Sequence, residues 1–228
     1  MEKIDKLYSD FHAKRLGVHC YPNEFLVRTM LGTYPNLNIS HDYKFKRILD
    51  WACGDGRNMP LFANLGLSIY GFEITQEIVE GVKKRMSDMG IVCDIRVGRN
   101  KSVPYDDDMF DYVVASSSIY YVDHGSSFDA NLKELVRCVK ENGYVIMTFP
   151  HPDGFILQNS KLIGDGHYEI TSDPYGLRNG DIFKVFRTKE EIVETFQSSF
   201  TDICIGMTDD DYYGMHIKMW LVVMKKGK

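Results

Sequence analysis

The residues with the clearest chemical potential lie at positions 48–59, where an apolar run ends in a turn that contains two glycines. Ile48 and Leu49 begin a predicted buried strand, and Gly54 and Gly56 interrupt the run before a helix-like segment. Because glycine has no Cβ, the backbone amides of this turn can approach a ligand closely. The N-terminus of the following helix directs unpaired N–H groups to the same place. The pattern predicts a site for a nucleotide-like ligand.

The spacing of these glycines separates the possible nucleotide ligands. A dinucleotide fingerprint has a third glycine three residues after the second, and Met59 stands there instead, which disfavours pyrophosphate binding. The strand end carries an acidic residue, a small residue, a cysteine and two glycines, which are Asp50, Ala52, Cys53, Gly54 and Gly56. This arrangement resembles motif I of the class I S-adenosylmethionine (SAM) dependent methyltransferases. Ala52 stands where that family more often has glycine, which predicts an ordinary backbone angle at this position.

A second acidic residue closes the next predicted strand. Residues 67–72 form an apolar run that ends at Glu73, and Thr75 is placed to cap the following helix. A carboxylate at the end of the second strand can accept both ribose hydroxyls of a bound adenosine. Residues 103–114 also resemble the family, in its proline-aromatic, acidic-turn and fourth-strand pattern. We interpret Asp106 to Asp108 in this run as a solvated turn rather than a metal site.

The resemblance implies SAM as cofactor and S-adenosylhomocysteine as product, without a metal. The family usually has an acidic residue near the adenine after strand three, and this chain has Arg99 and Asn100 there, so Asn100 is our candidate for that contact. The predicted cofactor-binding residues are Asp50, Trp51, Ala52, Cys53, Gly54, Gly56, Glu73, Ile74, Asn100 and Ser116.

Strand and helix patterns alternate along most of the chain, which predicts an α/β fold with a largely parallel sheet covered on both faces. The expected architecture is a Rossmann-like, doubly wound, seven-stranded sheet with a C-terminal antiparallel hairpin. Residues 1–43 are predicted to form an N-terminal helical cap, and residues 44–228 the SAM-binding domain. Residues 151–187 are predicted to be an insertion after the fifth strand that acts as a substrate lid. The hairpin is predicted from strands at 200–206 and 215–224, with a polar turn at 208–214.

Candidates for catalysis and substrate binding come from segments expected near the carboxyl ends of the strands. The predicted catalytic residues are His151, Tyr120 and Tyr121, and the predicted substrate-binding residues are Tyr8, Tyr21, His167 and Arg178. His12 and His19 of the cap are also placed to reach the same mouth. Alternative readings stay open at this stage. His151 can simply cap a strand end, at least one of the two adjacent tyrosines belongs to the core, and Arg178 can be a surface ion pair.

Composition limits the remaining possibilities. The chain has 228 residues, of which 44% are hydrophobic, enough for one full core. Its net charge of −5 argues against a nucleic acid partner. The five cysteines show no paired short spacing, so neither a zinc site nor a disulfide framework is predicted. The sequence has neither a signal-like apolar segment nor a run of about 20 apolar residues, so we expect a cytoplasmic protein without a membrane partner.

Taken together, these residues predict SAM-dependent methyl transfer to a small polar acceptor. The resemblance favours O-methylation of a carbohydrate-related or other bacterial metabolite. Two alternatives remain at this stage, an NAD(P)-dependent oxidoreductase and a SAM-binding protein without turnover. The sequence predicts neither the acceptor itself nor the oligomeric state.

Overall fold

The computed structural model describes residues 2–15 and 21–227, so that the candidate His19 and the cysteine Cys20 lie outside the described residues. The helices are α1 (Glu2–Arg15), α2 (Glu24–Leu31), α3 (Met59–Asn64), α4 (Gln76–Asp88), α5 (Phe128–Cys138) and α6 (Lys189–Phe196). The strands are β1 (Arg47–Asp50), β2 (Ser68–Glu73), β3 (Cys93–Val97), β4 (Phe110–Ala115), β5 (Tyr121–Val122), β6 (Val139–Pro150), β7 (Lys161–Gly164), β8 (His167–Glu169), β9 (Ile182–Lys184), β10 (Phe200–Tyr212) and β11 (Met215–Lys226).

A seven-stranded sheet with the order β10-β11-β6-β4-β1-β2-β3 forms the centre of the protein. The neighbours from β6 to β3 pair in parallel, whereas β11 runs antiparallel to both β6 and β10. The chain winds from β1 to β2 and β3, then returns to β4 and β6 on the other side of β1. Open sheets bind ligands beyond the carboxyl ends of the strands at such a reversal. The predicted fold class, including the C-terminal hairpin, is confirmed.

Helices cover both faces of this sheet, because its central strands are apolar on both sides. Ile48 and Leu49 of β1 point to opposite faces, and both are fully buried. Leu49 belongs to a core that includes residues of α5 and α6, and Ile48 to a core that includes residues of α2, α3 and α4. Burial on both faces explains the continuous apolar runs in the sequence. It also fixes the positions of the strand ends that carry the candidate site.

The two N-terminal helices pack differently. Leu26 and Met30 of α2 are fully buried in the core on one face of the sheet. α1 instead lies over the strand ends, where the hydroxyl of Ser9 meets that of Thr75 at 2.9 Å. Thr75 also caps α4, as predicted, by accepting the N–H of Ile78. The division into a cap at 1–43 and a domain at 44–228 stays a prediction.

The predicted insertion at 151–187 contributes most of a second, smaller sheet with the order β5-β9-β8-β7. β5 belongs to the segment after β4, so this small sheet connects the insertion with the main domain. Phe183 of β9 is fully buried, and its ring packs against those of Tyr120 and Tyr121 at centroid distances of 4.8 and 4.4 Å. The insertion is therefore anchored in the main core, and its role as a substrate lid stays a prediction.

The C-terminal hairpin has a much tighter turn than the sequence predicted. The expected polar turn at 208–214 was wrong, because β10 continues to Tyr212 and only Tyr213 and Gly214 connect it to β11. Both connecting residues have positive φ angles, as two-residue hairpin turns of one common type require. Asp209 pairs across the strands with Lys218 and accepts a hydrogen bond from the ring of His216. Such pairs of opposite charge keep an acidic segment in a strand.

Candidate functional site

The loop after β1 brings its backbone close to other parts of the site. Gly54 has a φ of +60°, and a Cβ at this position would lie 3.0 Å from the ring of His12 on α1. Ala52 has a φ of +47°, so the predicted ordinary backbone angle was wrong. A left-handed conformation at a residue with a Cβ costs about 1–2 kcal/mol. The loop is therefore held in a strained shape at the point where it lines a cavity.

Gly56 does not line this cavity, although the sequence placed it among the cofactor-binding residues. Its φ is +73°, and a Cβ there would lie 3.0 Å from Val82 and 3.3 Å from Met86 of α4. In this tight turn Gly54 and Gly56 therefore face opposite ways, one toward α1 and the cavity and the other toward the core. The structure thus corrects the predicted position of Gly56. This glycine allows the loop to pack on α4 and does not line the cavity.

Glu73, at the end of β2, connects the two loops that border the cavity. Its Oε1 accepts the N–H of Gly54 at 2.7 Å, and its Oε2 accepts the N–H of Ile74 at 2.9 Å. The side chain is buried, and this burial raises the pKa of the carboxyl, although the two backbone hydrogen bonds oppose the shift. Both Glu73 and Ile74 line the cavity, as does Gly54. The carboxylate is thus oriented by backbone donors.

Asp50, at the end of β1, presents a buried carboxyl oxygen to the same cavity. Only 1% of the residue is exposed, and its Oδ2 has no hydrogen-bond partner. Burial raises the pKa of Asp50, the hydrogen bond from Asn58 opposes the shift, and the neighbouring Glu73 and Asp55 add to it. Buried polar atoms almost always have partners. This oxygen therefore fits a ligand with a cationic donor group.

Trp51 does not line the cavity, and its polar group and that of Asn100 are hydrogen-bonded within the protein. Trp51 is fully buried, and its indole N–H donates to the Asn100 side chain at 2.7 Å. The Asn100 amide then donates to the carbonyls of Ser118 and Tyr121 at 3.0 and 2.9 Å. Asn100 lines the cavity, yet these three hydrogen bonds of its side chain all go to the protein. Its predicted adenine contact stays a prediction.

Cys53 and Ser116 also lie where the sequence placed them, on the cavity wall. Burial raises the pKa of the Cys53 thiol well above its usual range, so it is a neutral wall residue. The Ser116 hydroxyl accepts the side-chain amide of Asn23 at 2.7 Å, which links the segment after β4 to the start of α2.

α1 forms the roof of the cavity through Tyr8, Phe11 and His12. Burial lowers the pKa of His12 to about 4, so its imidazole is neutral at pH 7. Two ion pairs join α1 to the strand-end loops, the side chain of Asp5 with Arg99 and that of Arg15 with Asp55. The roof is thus tied down on both sides by charged pairs.

The other end of the cavity holds a polar cluster of Tyr8, Tyr121, Arg178 and Asp181, all of which line it. The Tyr8 hydroxyl donates to Asp181 Oδ2 at 2.7 Å, and Arg178 Nε donates to the Tyr121 hydroxyl at 3.2 Å. Arg178 also pairs with the buried Asp173. The sequence predicted Tyr8, Tyr121 and Arg178 but missed Asp181, since a polar, glycine-containing stretch around it indicates only a turn.

Four of the predicted catalytic and substrate-binding residues do not line the cavity. The Tyr120 ring is buried in the core, 6.3 Å from that of Phe149, which agrees with the reading of one adjacent tyrosine as a core residue. His151, directly after the carboxyl end of β6, packs its ring on that of Trp220 at a centroid distance of 4.6 Å. The two others are Tyr21, which is 73% exposed, and His167, whose ring contacts the carbonyl of Gly164. None of the four side chains borders this cavity, and their catalytic and substrate-binding roles stay predictions.

The cavity as a whole has a volume of about 360 Å³, within the usual range for small-molecule sites. The residues at its strand end fit SAM. The unpartnered Asp50 oxygen suits the amino group in the methionine part of SAM. The absence of a Cβ at Gly54 leaves room for that methionine part, and the Glu73 carboxylate suits the ribose hydroxyls. Within residues 2–15 and 21–227, no group of three His, Cys, Asp or Glu side chains is placed to hold a metal ion. No helix of the described part is long and apolar enough to cross a membrane.

Known proteins resemble this chain in both sequence and structure. A curated, uncharacterized protein of Haemophilus influenzae is 24% identical over 155 residues, which are 64% of this chain but only 55% of that protein. A SAM-dependent methyltransferase structure from Methanosarcina mazei has a TM-score of 0.64 and 20% identity, covering 86% of this chain and 99% of its own. The 1,6-didemethyltoxoflavin-N1-methyltransferase of Burkholderia thailandensis, solved with 1,6-didemethyltoxoflavin and S-adenosylhomocysteine, has a TM-score of 0.60. Its identity is 11%, covering 81% of this chain and 72% of its own.

The structural likenesses support the fold, and the family assignment comes from the sequence. Residues 49–147 match the family model described as a methyltransferase domain, and this range contains the loop after β1, Glu73 and the segment after β4. Across residues 49–147 the sequence therefore matches a methyltransferase domain, consistent with a class I SAM-dependent methyltransferase that uses SAM as its cofactor.

Proposed function

We propose that this protein transfers a methyl group from SAM to a hydroxyl of a small polar acceptor, with carbohydrate-related metabolites as the first class to test. The observation that carries this proposal is the single cavity that joins the strand-end loops to the polar cluster of Tyr8, Tyr121, Arg178 and Asp181. SAM supplies an activated methyl group, so transfer depends largely on holding the acceptor in line with it.

The strand end would bind the cofactor through three groups of this chain. Glu73 would accept the ribose hydroxyls, Asp50 would accept the amino group, and the loop at Gly54 would pass beside the methionine part. Such charge-assisted hydrogen bonds are stronger than neutral ones, because one partner is ionised. Helix α1, which covers the cavity, would exclude water from the reacting groups.

The polar cluster supports a small acceptor with hydroxyl groups. The cluster offers a guanidinium, a carboxylate and two phenols within one wall, and these groups together can orient several hydroxyls. The Burkholderia neighbour is named for methylation at a nitrogen. Nitrogen acceptors are therefore the second class to test.

Two alternatives are separable by binding and turnover. The dinucleotide-binding loop of an NAD(P)-dependent oxidoreductase would have its third glycine at position 59. This chain has Met59 there, and the Met59 sulfur would lie 3.4 Å from a Cβ on Gly56. A SAM-binding protein without turnover would bind the cofactor but transfer nothing. The strand-end residues alone do not separate this second alternative from an enzyme.

Calorimetry with SAM, S-adenosylhomocysteine and NAD tests the first part of the proposal. We expect binding of the first two compounds and none of NAD. Incubation with methyl-labelled SAM and sets of sugars, phenols and amines then tests transfer. Binding of NAD in preference to SAM would overturn the assignment, and SAM binding without transfer to any acceptor would favour the non-catalytic alternative.

A further inference from the structure

We call the end of the cavity that holds the polar cluster the acceptor end. The cluster combines side chains from three separate parts of the chain. Tyr8 comes from α1, Tyr121 from β5, and Arg178 and Asp181 from the insertion. All four line the cavity, and none belongs to the strand-end loops that contain Asp50, Gly54 and Glu73. A buried carboxylate at this end has no part in the cofactor contacts proposed above, so its presence calls for a separate explanation.

The hydrogen bonds of the cluster have a defined direction. Arg178 has only donors, so the Tyr121 oxygen accepts its N–H at 3.2 Å and must give its own proton elsewhere. The Tyr121 ring packs edge to face against that of Tyr8 at a centroid distance of 6.2 Å. Tyr8 in turn donates to Asp181 Oδ2 at 2.7 Å. The Asp181 carboxylate can only accept, so the Tyr8 proton points toward Asp181.

Asp181 has the properties of a proton acceptor that works near neutral pH. Burial raises its pKa to about 6, and this upward shift is limited by the hydrogen bond from Tyr8 and by the positive charge of Arg178. The titratable and charged groups that face Asp181 are Tyr8 of α1, His124 of the loop after β5, and Arg178 and Asp173 of the insertion. At pH 7 the carboxyl group is mostly ionised, yet it can take up a proton readily.

We propose that the carboxylate of Asp181, acting through the hydroxyl of Tyr8, accepts the proton of the acceptor hydroxyl that becomes methylated. This inference rests on the proposed function. The oxygen–carbon bond to the acceptor forms as the carbon–sulfur bond of SAM breaks, which leaves a methyl ether and S-adenosylhomocysteine. The acceptor proton passes to the Tyr8 oxygen while the Tyr8 proton passes to Asp181, and Asp181 later releases it to water.

The competing interpretation is structural, since the Tyr8–Asp181 hydrogen bond also ties α1 to the insertion. Asp181→Asn separates the two, because an amide oxygen still accepts the Tyr8 hydroxyl but cannot take up the proton. Tyr8→Phe removes the hydrogen bond itself. Asp165→Asn makes the same substitution at an exposed turn of the insertion and serves as the matched control.

The first test follows the carboxyl of Asp181 directly, by NMR of ¹³C-labelled aspartate in the complex with S-adenosylhomocysteine. We expect one carboxyl that titrates near pH 6, that is missing in Asp181→Asn and that is retained in Asp165→Asn. Tyr8→Phe should raise the midpoint, because the Tyr8 hydrogen bond lowers this pKa. An Asp181 carboxyl that stays protonated up to pH 8, or a midpoint that Tyr8→Phe leaves unchanged, would overturn the inference.

The second test measures methyl transfer from labelled SAM to methyl α-glucopyranoside, phenol and aniline. For a hydroxyl acceptor we expect Asp181→Asn to lower kcat about 100-fold, to remove the inflection near pH 6 and to leave SAM affinity unchanged. Equal kcat values for the two aspartate variants would overturn the inference while methyl transfer itself stands. Transfer only to aniline would do the same. If the wild type transferred no methyl group to any acceptor, the proposed function would fail, and the titration would still decide the role of Asp181.

Discussion

The two ends of the cavity are built in different ways. The proposed cofactor end comes from the ends of β1 and β2, so Asp50 and Glu73 are adjacent because their strands pair in the sheet core. The acceptor end comes from α1, β5 and the insertion, and Tyr8 and Asp181 meet although 173 positions separate them. The first arrangement is fixed by a local strand–loop–strand pattern, and the second by how distant segments pack. We therefore expect changes at one end to affect SAM affinity and changes at the other to affect turnover.

The largest effect on the cofactor end is expected for Glu73→Ala. Loss of two charge-assisted hydrogen bonds, at about 1.5–3 kcal/mol each, should weaken SAM binding about 100-fold or more. Glu77→Ala removes an exposed carboxylate four positions along the chain and is the matched control. Calorimetry with SAM checks the difference. Equal affinities for the two variants would remove Glu73 from the cofactor site and break the comparison between the two ends.

Asp50→Asn should have the next largest effect, with opposite consequences for binding and stability. We expect SAM affinity to fall about 10- to 100-fold, because a hydrogen bond between charged groups contributes about 1.5–3 kcal/mol. SAM binding to the wild type should strengthen as pH rises and Asp50 loses its proton, and this part of the slope should disappear in the variant. Calorimetry across pH 5–8 checks both effects, and a slope equal to that of the wild type would contradict the account.

The stability of the ligand-free protein provides a separate readout for the same variant. The pKa of Asp50 is raised on folding, so its favourable contribution is fully present below the pKa of the unfolded chain and is lost as pH rises through the folded value. Asp50→Asn has no carboxyl to ionise, so this loss of stability with rising pH is absent in the variant. The variant should therefore be more stable than the wild type at pH 7, with a gap that narrows toward pH 4. Thermal unfolding with Asp88→Asn, an exposed position, as the control checks the sign.

The smallest effect is expected at Ala52, where the loop is strained rather than charged. Ala52→Gly should relieve the left-handed backbone and raise the free energy of unfolding by roughly 0.5–1 kcal/mol. Ala63→Gly, in the last turn of α3, should instead lower it by about 0.5–1 kcal/mol. A loss of stability at both positions in thermal unfolding would mean that the positive φ of Ala52 is not costly.

The sequence predicted the fold and the placement of the acidic residues at the strand ends because both depend on local patterns. Strand ends, glycines and acidic residues are visible within short windows, and Glu73 and Asp50 needed no knowledge of distant contacts. Gly56 shows the limit even there, since spacing does not tell which side of a turn a residue faces. The positive φ of Ala52 was also invisible, because the loop imposes a conformation that alanine disfavours.

The acceptor end was less predictable because it depends on packing between distant segments. Tyr120 and Tyr121 are adjacent, yet only the second reaches the cavity, because the Tyr120 ring packs into the core against Phe149. His151 follows a strand end as expected, but its ring rests on Trp220, away from the cavity. Asp181 carries no sequence signal beyond a polar turn. Its position depends on the contact between α1 and the insertion.

A crystal structure of the complex with S-adenosylhomocysteine would test the central claim most directly. The account predicts the ribose hydroxyls on the Glu73 carboxylate, the amino group on Asp50 Oδ2, and the homocysteine sulfur directed toward the end that holds Tyr8 and Asp181. A ligand bound elsewhere, or bound in this cavity with its ribose away from Glu73, would contradict it.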